Sequence, residues 1–308
     1  MSRIFEALRR ADRERRAEHE PKLETPTNPL GSMELGDSSS AIVNVITDHV
    51  SRRLWAPAVD AIPCLQERGV IVEQFRGLRS RLSQMRNEVQ LKTLLISSGM
   101  PSEGKSFVVL NLAISLARHR MNRVLLIDGD LARPTLHNIL GAPKAPGLSD
   151  YLSGSKDLAS VLQQCDNREV ATQPALEAIT NLTFISAGVS RDDSAELVSN
   201  GRIENLISSV EQLFDWILID SPPVLAVSDA VELARAADGV LLVAREEFTP
   251  FEVLQKAQAA FGQSRLLGVV LNGAKHGSRK RHYYYSYYGH EANQKESGRQ
   301  GTTARSNG

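Results

Sequence analysis

The stretch TLLISSGMPSEGKSFVVLNLAISLA, residues 93–117, decides the fold. It opens on a β-rich apolar run and closes on an apolar run of helical length. Between them stand Gly99, four further residues, and then Gly104, Lys105 and Ser106. This is the phosphate-loop pattern G-x-x-x-x-G-K-[ST], in the strand-to-helix setting it requires. Glycines let the backbone curl until successive N–H groups point at phosphate oxygens. A helix beginning near Lys105 adds its positive end. A nucleotide is therefore expected on Gly99, Pro101, Ser102, Glu103, Gly104, Lys105, Ser106 and Phe107. Lys105 should reach the β- and γ-phosphates, and the Ser106 hydroxyl should hold Mg²⁺.

Five further runs share the β-rich character of 93–98: RVLLIDGD, LTFISAG, WILIDSPP, GVLLVARE and LLGVVLNG. Most are almost wholly apolar, as strands buried on both faces should be. Helical stretches such as KSFVVLNLAISLARHR and RIENLISSVEQLF lie between them. The alternation predicts an α/β domain over residues 67–275, a mostly parallel sheet with helices on both faces. Ligands gather at the carboxyl ends of strands in such sheets. Two more strand ends carry acids there: Asp128 and Asp130 in VLLIDGDLARP, and Asp220 in WILIDSPP. Together they suit a Mg²⁺ and catalytic shell, with some contacts made through water. For Asp130 a turn-forming role is the alternative. Asn272, ending GVVLN, reads either as a contact to an adenine edge or as a turn residue.

Residues 1–66 read as one helix and a flexible linker rich in Pro, Ser and Gly. The helix SRIFEALRRADRERRAEHE is either a solvated face or a docking helix. Lys plus Arg number 36 and Asp plus Glu number 36, so no general attraction to nucleic acid is implied. Cys64 and Cys165 stand in no metal or redox spacing, which fits a reducing cytoplasm. No apolar run approaches the ~18 residues that span a bilayer, and no signal pattern opens the chain. Membrane work is expected only through a partner.

Residues 276–308 read as a disordered tail. Within it, HYYYSYYGH at 282–290 gathers Tyr283, Tyr284, Tyr285, Tyr287 and Tyr288, five of the six tyrosines in the chain. The tail carries six Lys or Arg against two Glu, a net charge of +4. Each phosphate adds about −1.5 to −2, so three would reverse its sign.

At this point a resemblance becomes specific. ISSGMPSEGKS, LLIDGDLARP and WILIDSPPVLAVSDA resemble the Walker A, A′ and B motifs of the bacterial tyrosine kinases of capsule and exopolysaccharide systems. Glu73, Arg76 and Arg79 in VEQFRGLRSRL match that family's E-x-x-R-x-x-R element, and the tyrosine cluster matches its autophosphorylation tail. The opening MSRIFEALRRA is similar to stand-alone members. The resemblance implies a P-loop fold related to the ParA/Min ATPases, with ATP and Mg²⁺ as cofactors. It assigns Asp128 to the phenol proton, Ser106, Asp130 and Asp220 to the metal, and the five clustered tyrosines to the acceptor role between neighbouring copies. It implies a homo-oligomeric ring held by Glu73, Arg76 and Arg79, an inner-membrane polysaccharide co-polymerase as activator, and a tyrosine phosphatase. The chain would be cytoplasmic and recruited to the inner face of the plasma membrane. One departure stands out: the family's D-x-D-x-R has Ala132 where the arginine is usual, with Arg133 one place later. The alternative reading is a ParA/Min-like ATPase switch without kinase activity. Such ATPases carry a signature lysine where this chain has Met100, and have no use for a tyrosine cluster.

Overall fold

Each of the six apolar runs forms a strand. In the computed structural model, which describes residues 50–119, 121–166, 174–190, 194–262 and 266–274, they are β2 (Thr93–Ser98), β3 (Val124–Asp128), β5 (Leu182–Ile185), β6 (Trp216–Asp220), β7 (Gly239–Arg245) and β8 (Leu266–Asn272). Two short strands join them, β1 (Ser51–Arg53) and β4 (Gln163–Cys165). The sheet order is β1-β4-β5-β3-β6-β2-β7-β8. All pairs are parallel except β4 with β5. Strands β2, β3, β5 and β6 are buried throughout, as both-face packing requires. β8 departs from that expectation. It closes one edge of the sheet, and Val269 and Leu271 stay exposed there.

Helices cover both faces. On one side lie α1 (Val70–Glu88) and α2 (Lys105–Ala117). Phe75 and Leu82 of α1 are buried, and Leu78 and Met85 pack beside them, so the helix turns one apolar stripe to the domain. Chain order then gives α3 (Leu136–Leu140), α4 (Leu148–Leu152) and α5 (Leu158–Val161). They are followed by α6 (Ser194–Val198), α7 (Arg202–Val210), α8 (Asp229–Arg235) and α9 (Phe251–Phe261). The second core draws on α7, whose Ile203, Leu206, Ile207 and Val210 recur at helical spacing, and on α8 and α9.

The expected boundary at residue 67 falls inside packed chain. Trp55, Ile62, Cys64 and Leu65 are buried in the same core as Phe75 and Leu82. Two single 3₁₀ turns, Val59–Ala61 and Pro63–Leu65, carry most of that segment. Burial pushes the Cys64 thiol up to about 12, so it stays protonated and inert. The N-terminal helix expected over residues 2–20 and the tyrosine tail lie outside the described residues.

α2 carries the phosphate loop at its start, and its other end is tied down by side chains. A helix leaves its last carbonyls without partners. Here Arg79 Nη1 donates to Ser115 O at 2.5 Å, Asn122 Nδ2 to Leu116 O at 3.2 Å, and Asn181 Nδ2 to Ala117 O at 3.1 Å. Arg118 adds bonds to the carbonyls of Cys64, Leu65 and Gln66. The buried Asn111 is satisfied by the Cys64 N–H and by Phe107 O. Glu73 and Arg76 instead form an exposed pair at 2.5 Å.

Arg79→Met should thus lower the melting temperature by about 2–4 °C, because a carbonyl at the helix end loses a charge-assisted donor. Arg76→Met removes an exposed ion pair and an exposed bond from Nη2 to Glu67 O at 2.9 Å, and should shift it by less, about 1 °C. Scanning calorimetry of the two variants side by side checks this; equal shifts would show that the cap carries no stability.

Candidate active site

The loop between β2 and α2 is shaped by what its carbonyls need. For its N–H groups to face one ligand, the carbonyls must turn outward and find donors of their own. Met100 O accepts from Ser98 Oγ at 2.7 Å, Ser102 O from Arg245 Nη1 at 3.3 Å, Glu103 O from Asn272 Nδ2 at 3.0 Å, and Gly104 O from Val108 N at 2.9 Å. The turn places Ser102 at φ +64° and Gly104 at φ +93°. A Cβ on Gly104 would stand 2.0 Å from Asn272 Nδ2, so this glycine is required by space as well as by φ. Lys105 begins α2 and is buried, beside the unpaired amides of the helix start.

The acids are brought together by strand register. β3 and β6 pair Asp128 with Asp220, and β6 and β2 pair Asp220 with Ile96. Gly129 N donates to Asp220 O at 2.9 Å, and a Cβ on Gly129 would lie 2.6 Å from that oxygen. The glycine between the two aspartates therefore lets β3 leave the sheet against β6. Asp128 is fully buried and accepts from the amides of Asp130 at 3.3 Å and Leu136 at 3.2 Å. Asp130 is half-buried and caps a turn by accepting from Arg133 N at 2.9 Å. Its turn-forming role and its place in the site coexist. Ala132 and Arg133 are exposed, and the charge of Arg133 helps hold the Asp130 pKa down.

Burial pushes all three acids up. Asp128 rises well above the carboxylate range, first from burial and then from the Asp220 charge. Asp130 rises from burial, opposed by the Arg133 amide and by Lys105. Asp220 is pushed up to about 7 by burial, against the Ser106 hydroxyl and the Lys105 charge. Ser106 is near enough to act on Asp220, yet neither Asp220 oxygen meets a donor at hydrogen-bond geometry. A buried carboxylate with two bare oxygens, beside a hydroxyl at the start of a phosphate-loop helix, fits a hard cation. Among the described residues no group of three or more His, Cys, Asp or Glu converges on one point. A hydroxyl and few carboxylates suit a cation completed by water and phosphate oxygens.

Several contributors escaped the sequence reading. Asp229, at the start of α8, is buried and its charge acts on Asp130. Arg245 and Thr249 reach the loop from the far end of β7. Asn272 ends β8 and spends its amide on the loop, a role that neither of its two readings supplied. Glu103 contributes its backbone to the loop, while its carboxylate is buried against Thr249 and the Met100 amide.

A parallel sheet with a phosphate loop after β2 and acids ending β3 and β6 defines a P-loop nucleotide-binding protein. The AAA domain family matches residues 101–259, about half the chain. The tyrosine-protein kinase YwqD of Bacillus subtilis is 34% identical over 223 residues, covering 72% of this chain and 87% of YwqD. The putative tyrosine-protein kinase EpsB of Ralstonia solanacearum is 33% identical over 235 residues, but the chain spans only 29% of its length. The kinase domain of the Escherichia coli tyrosine kinase ETK superposes with a TM-score of 0.60 at 28% identity, over 77% of this chain and 80% of that domain. The chain belongs to the bacterial tyrosine kinase family.

The Asp220 charge sets a pH dependence. Its carboxyl titrates near 4 when unfolded and at about 7 when folded, so the folded state holds the proton more tightly. Stability of the nucleotide- and metal-free protein should therefore fall as pH rises from about 4 to about 7. Asp220→Asn should remove that share of the slope and raise the melting temperature at pH 8 by several degrees, with little gain near pH 4. Thermal melts across this range in the presence of a chelator check it.

Proposed function

We propose that the chain is an ATP-dependent protein-tyrosine autokinase that phosphorylates its own C-terminal cluster, Tyr283, Tyr284, Tyr285, Tyr287 and Tyr288, between neighbouring copies. The observation that carries the reading is the meeting of Lys105, Ser106 and the bare carboxylate of Asp220 beside Asp128. The phenol oxygen attacks the γ-phosphorus of ATP, the bond from that phosphorus to the β–γ bridging oxygen breaks, and ADP leaves. Lys105 and the amides of residues 102–106 balance the charge on the phosphates, where most catalysis of this kind resides. Asp128 takes the phenol proton at a carboxylate oxygen, held in place by the Asp130 and Leu136 amides. A phenol of pKa about 10 gives up its proton more readily to a carboxylate whose own pKa is raised. Ser106, Asp130 and Asp220 are the residues to hold Mg²⁺, which when bound supplies charge neutralisation at the phosphates.

The proposal extends to assembly and place. Glu73 and Arg76 stand exposed on α1 as the contact of a ring, while Arg79 already serves its own domain. No helix among the described residues is long and apolar enough to cross a membrane. The kinase is proposed to sit in the cytoplasm and be recruited by a membrane co-polymerase whose cytoplasmic segment activates it, with a tyrosine phosphatase reversing the modification. Polysaccharide polymerisation or export is the proposed output.

Lys105→Met should abolish phosphotyrosine and most ADP affinity, whereas Asp128→Asn should keep ADP binding and lose transfer by on the order of 100-fold or more. Both are read by phosphotyrosine blot and fluorescent-ADP titration, with the activator segment added. Tyrosine labelling of the Lys105→Met protein would remove the assigned site. Changing all five clustered tyrosines to Phe should leave ADP binding intact and remove most label. Mass spectrometry showing no phosphotyrosine in that cluster, with ATP hydrolysis intact, would favour a switch ATPase instead.

A further inference from the structure

We infer that Thr249, at the end of the β7–α9 connection, is a positioning residue of the nucleotide site, and that the Glu103 carboxylate is its partner rather than a nucleotide contact. The inference rests on the reading of residues 99–106 as the phosphate loop. Glu103 is fully buried within that loop. Its two oxygens are used separately. Oε2 accepts from Met100 N at 2.7 Å, closing the loop on itself, and Oε1 accepts from the Thr249 hydroxyl. Thr249 Oγ1 in turn accepts from Arg245 N at 2.8 Å. A hydroxyl that accepts from one group can donate along a fixed direction to another, so the Arg245 amide aims the Thr249 proton at Glu103.

The other outer donors come from the ends of β7 and β8. The Arg245 guanidinium reaches Ser102 O, and Asn272, whose own carbonyl accepts from Glu246 N at 2.9 Å, reaches Glu103 O. Two consecutive loop carbonyls are thereby held outward by donors from the ends of β7 and β8. Turning those carbonyls outward is what leaves the inner side of the loop to amide donors. The loop also contains a non-glycine residue at φ +64°, a conformation that persists only where surroundings enforce it. Thr249, like Asn272, carries no charge and lies outside the loop, and it meets the loop through the Glu103 side chain, so changing it tests the bracing effect without altering the loop or a charge.

Thr249→Val keeps the shape and removes the hydroxyl, leaving a buried Glu103 oxygen without its donor. In the full-length protein with Mg²⁺, Thr249→Val should weaken binding of a fluorescent ADP analogue by about tenfold. The KM for ATP should rise by a similar factor, with kcat at saturating ATP held within about twofold. Thr249→Ser, which restores the hydroxyl, should bind within about twofold of wild type. Should the Val variant fail to fold, Thr249→Ala, smaller and free of clashes, carries the same expectation. Affinity of the folded Val or Ala variant within twofold of wild type would overturn the inference. So would an equal loss in the Ser variant, which would mark a packing role. Lys105→Met serves as the separate arm: wild-type ADP affinity there would sink the nucleotide-loop reading itself, whatever Thr249 does.

Discussion

The parallel register of β3, β6 and β2 is the constraint on which the rest depends. It sets Asp128 opposite Asp220 and Asp220 opposite Ile96, two residues before β2 ends at the phosphate loop. These strands are buried, so their terminal acids are held at close range away from water. Burial is what pushes Asp128 and Asp220 upward, and the Asp220 charge raises Asp128 further. The arrangement is costly without a cation and suited to one. A bound cation would let these acids ionise, which burial otherwise disfavours.

The phosphate helix is treated differently at its two ends. Its start offers unpaired amides and Lys105 to a ligand, which completes them only on binding. Its end is closed permanently by Arg79, Asn122 and Asn181. A helix fixed at one end can present the other with little motion, so binding energy need not order it. Arg79 belongs to the E-x-x-R-x-x-R segment, and its bond to Ser115 O makes that segment and the phosphate helix one mechanical piece. Glu73 and Arg76, on the same helix, remain exposed.

The likeness to known kinases has a clear extent. YwqD is matched over most of its length, whereas EpsB is matched over under a third. The shared part is the nucleotide domain, and it is there that the described structure holds its buried acids and its loop.

Sequence alone determined the loop, the six apolar strands and the acids at their ends. Those signals are local: Gly99 to Ser106 act through neighbouring backbone, and a strand buried on both faces must be apolar whatever its partners. It did not disclose β1 and β4, whose sequences SRR and QQC carry no alternation and become strands only through pairing. Nor did it reveal that Trp55, Ile62, Cys64 and Leu65 belong to the core, because a short run of 3₁₀ turns has no periodicity to read. Tertiary structure decided which side chains complete the loop. Thr249 and Asn272 lie more than a hundred residues from Glu103, and Arg79 lies 36 residues from the carbonyl it caps. A donor's usefulness depends on the direction and distance of its acceptor, and those are fixed only when the sheet brings distant strand ends to one rim.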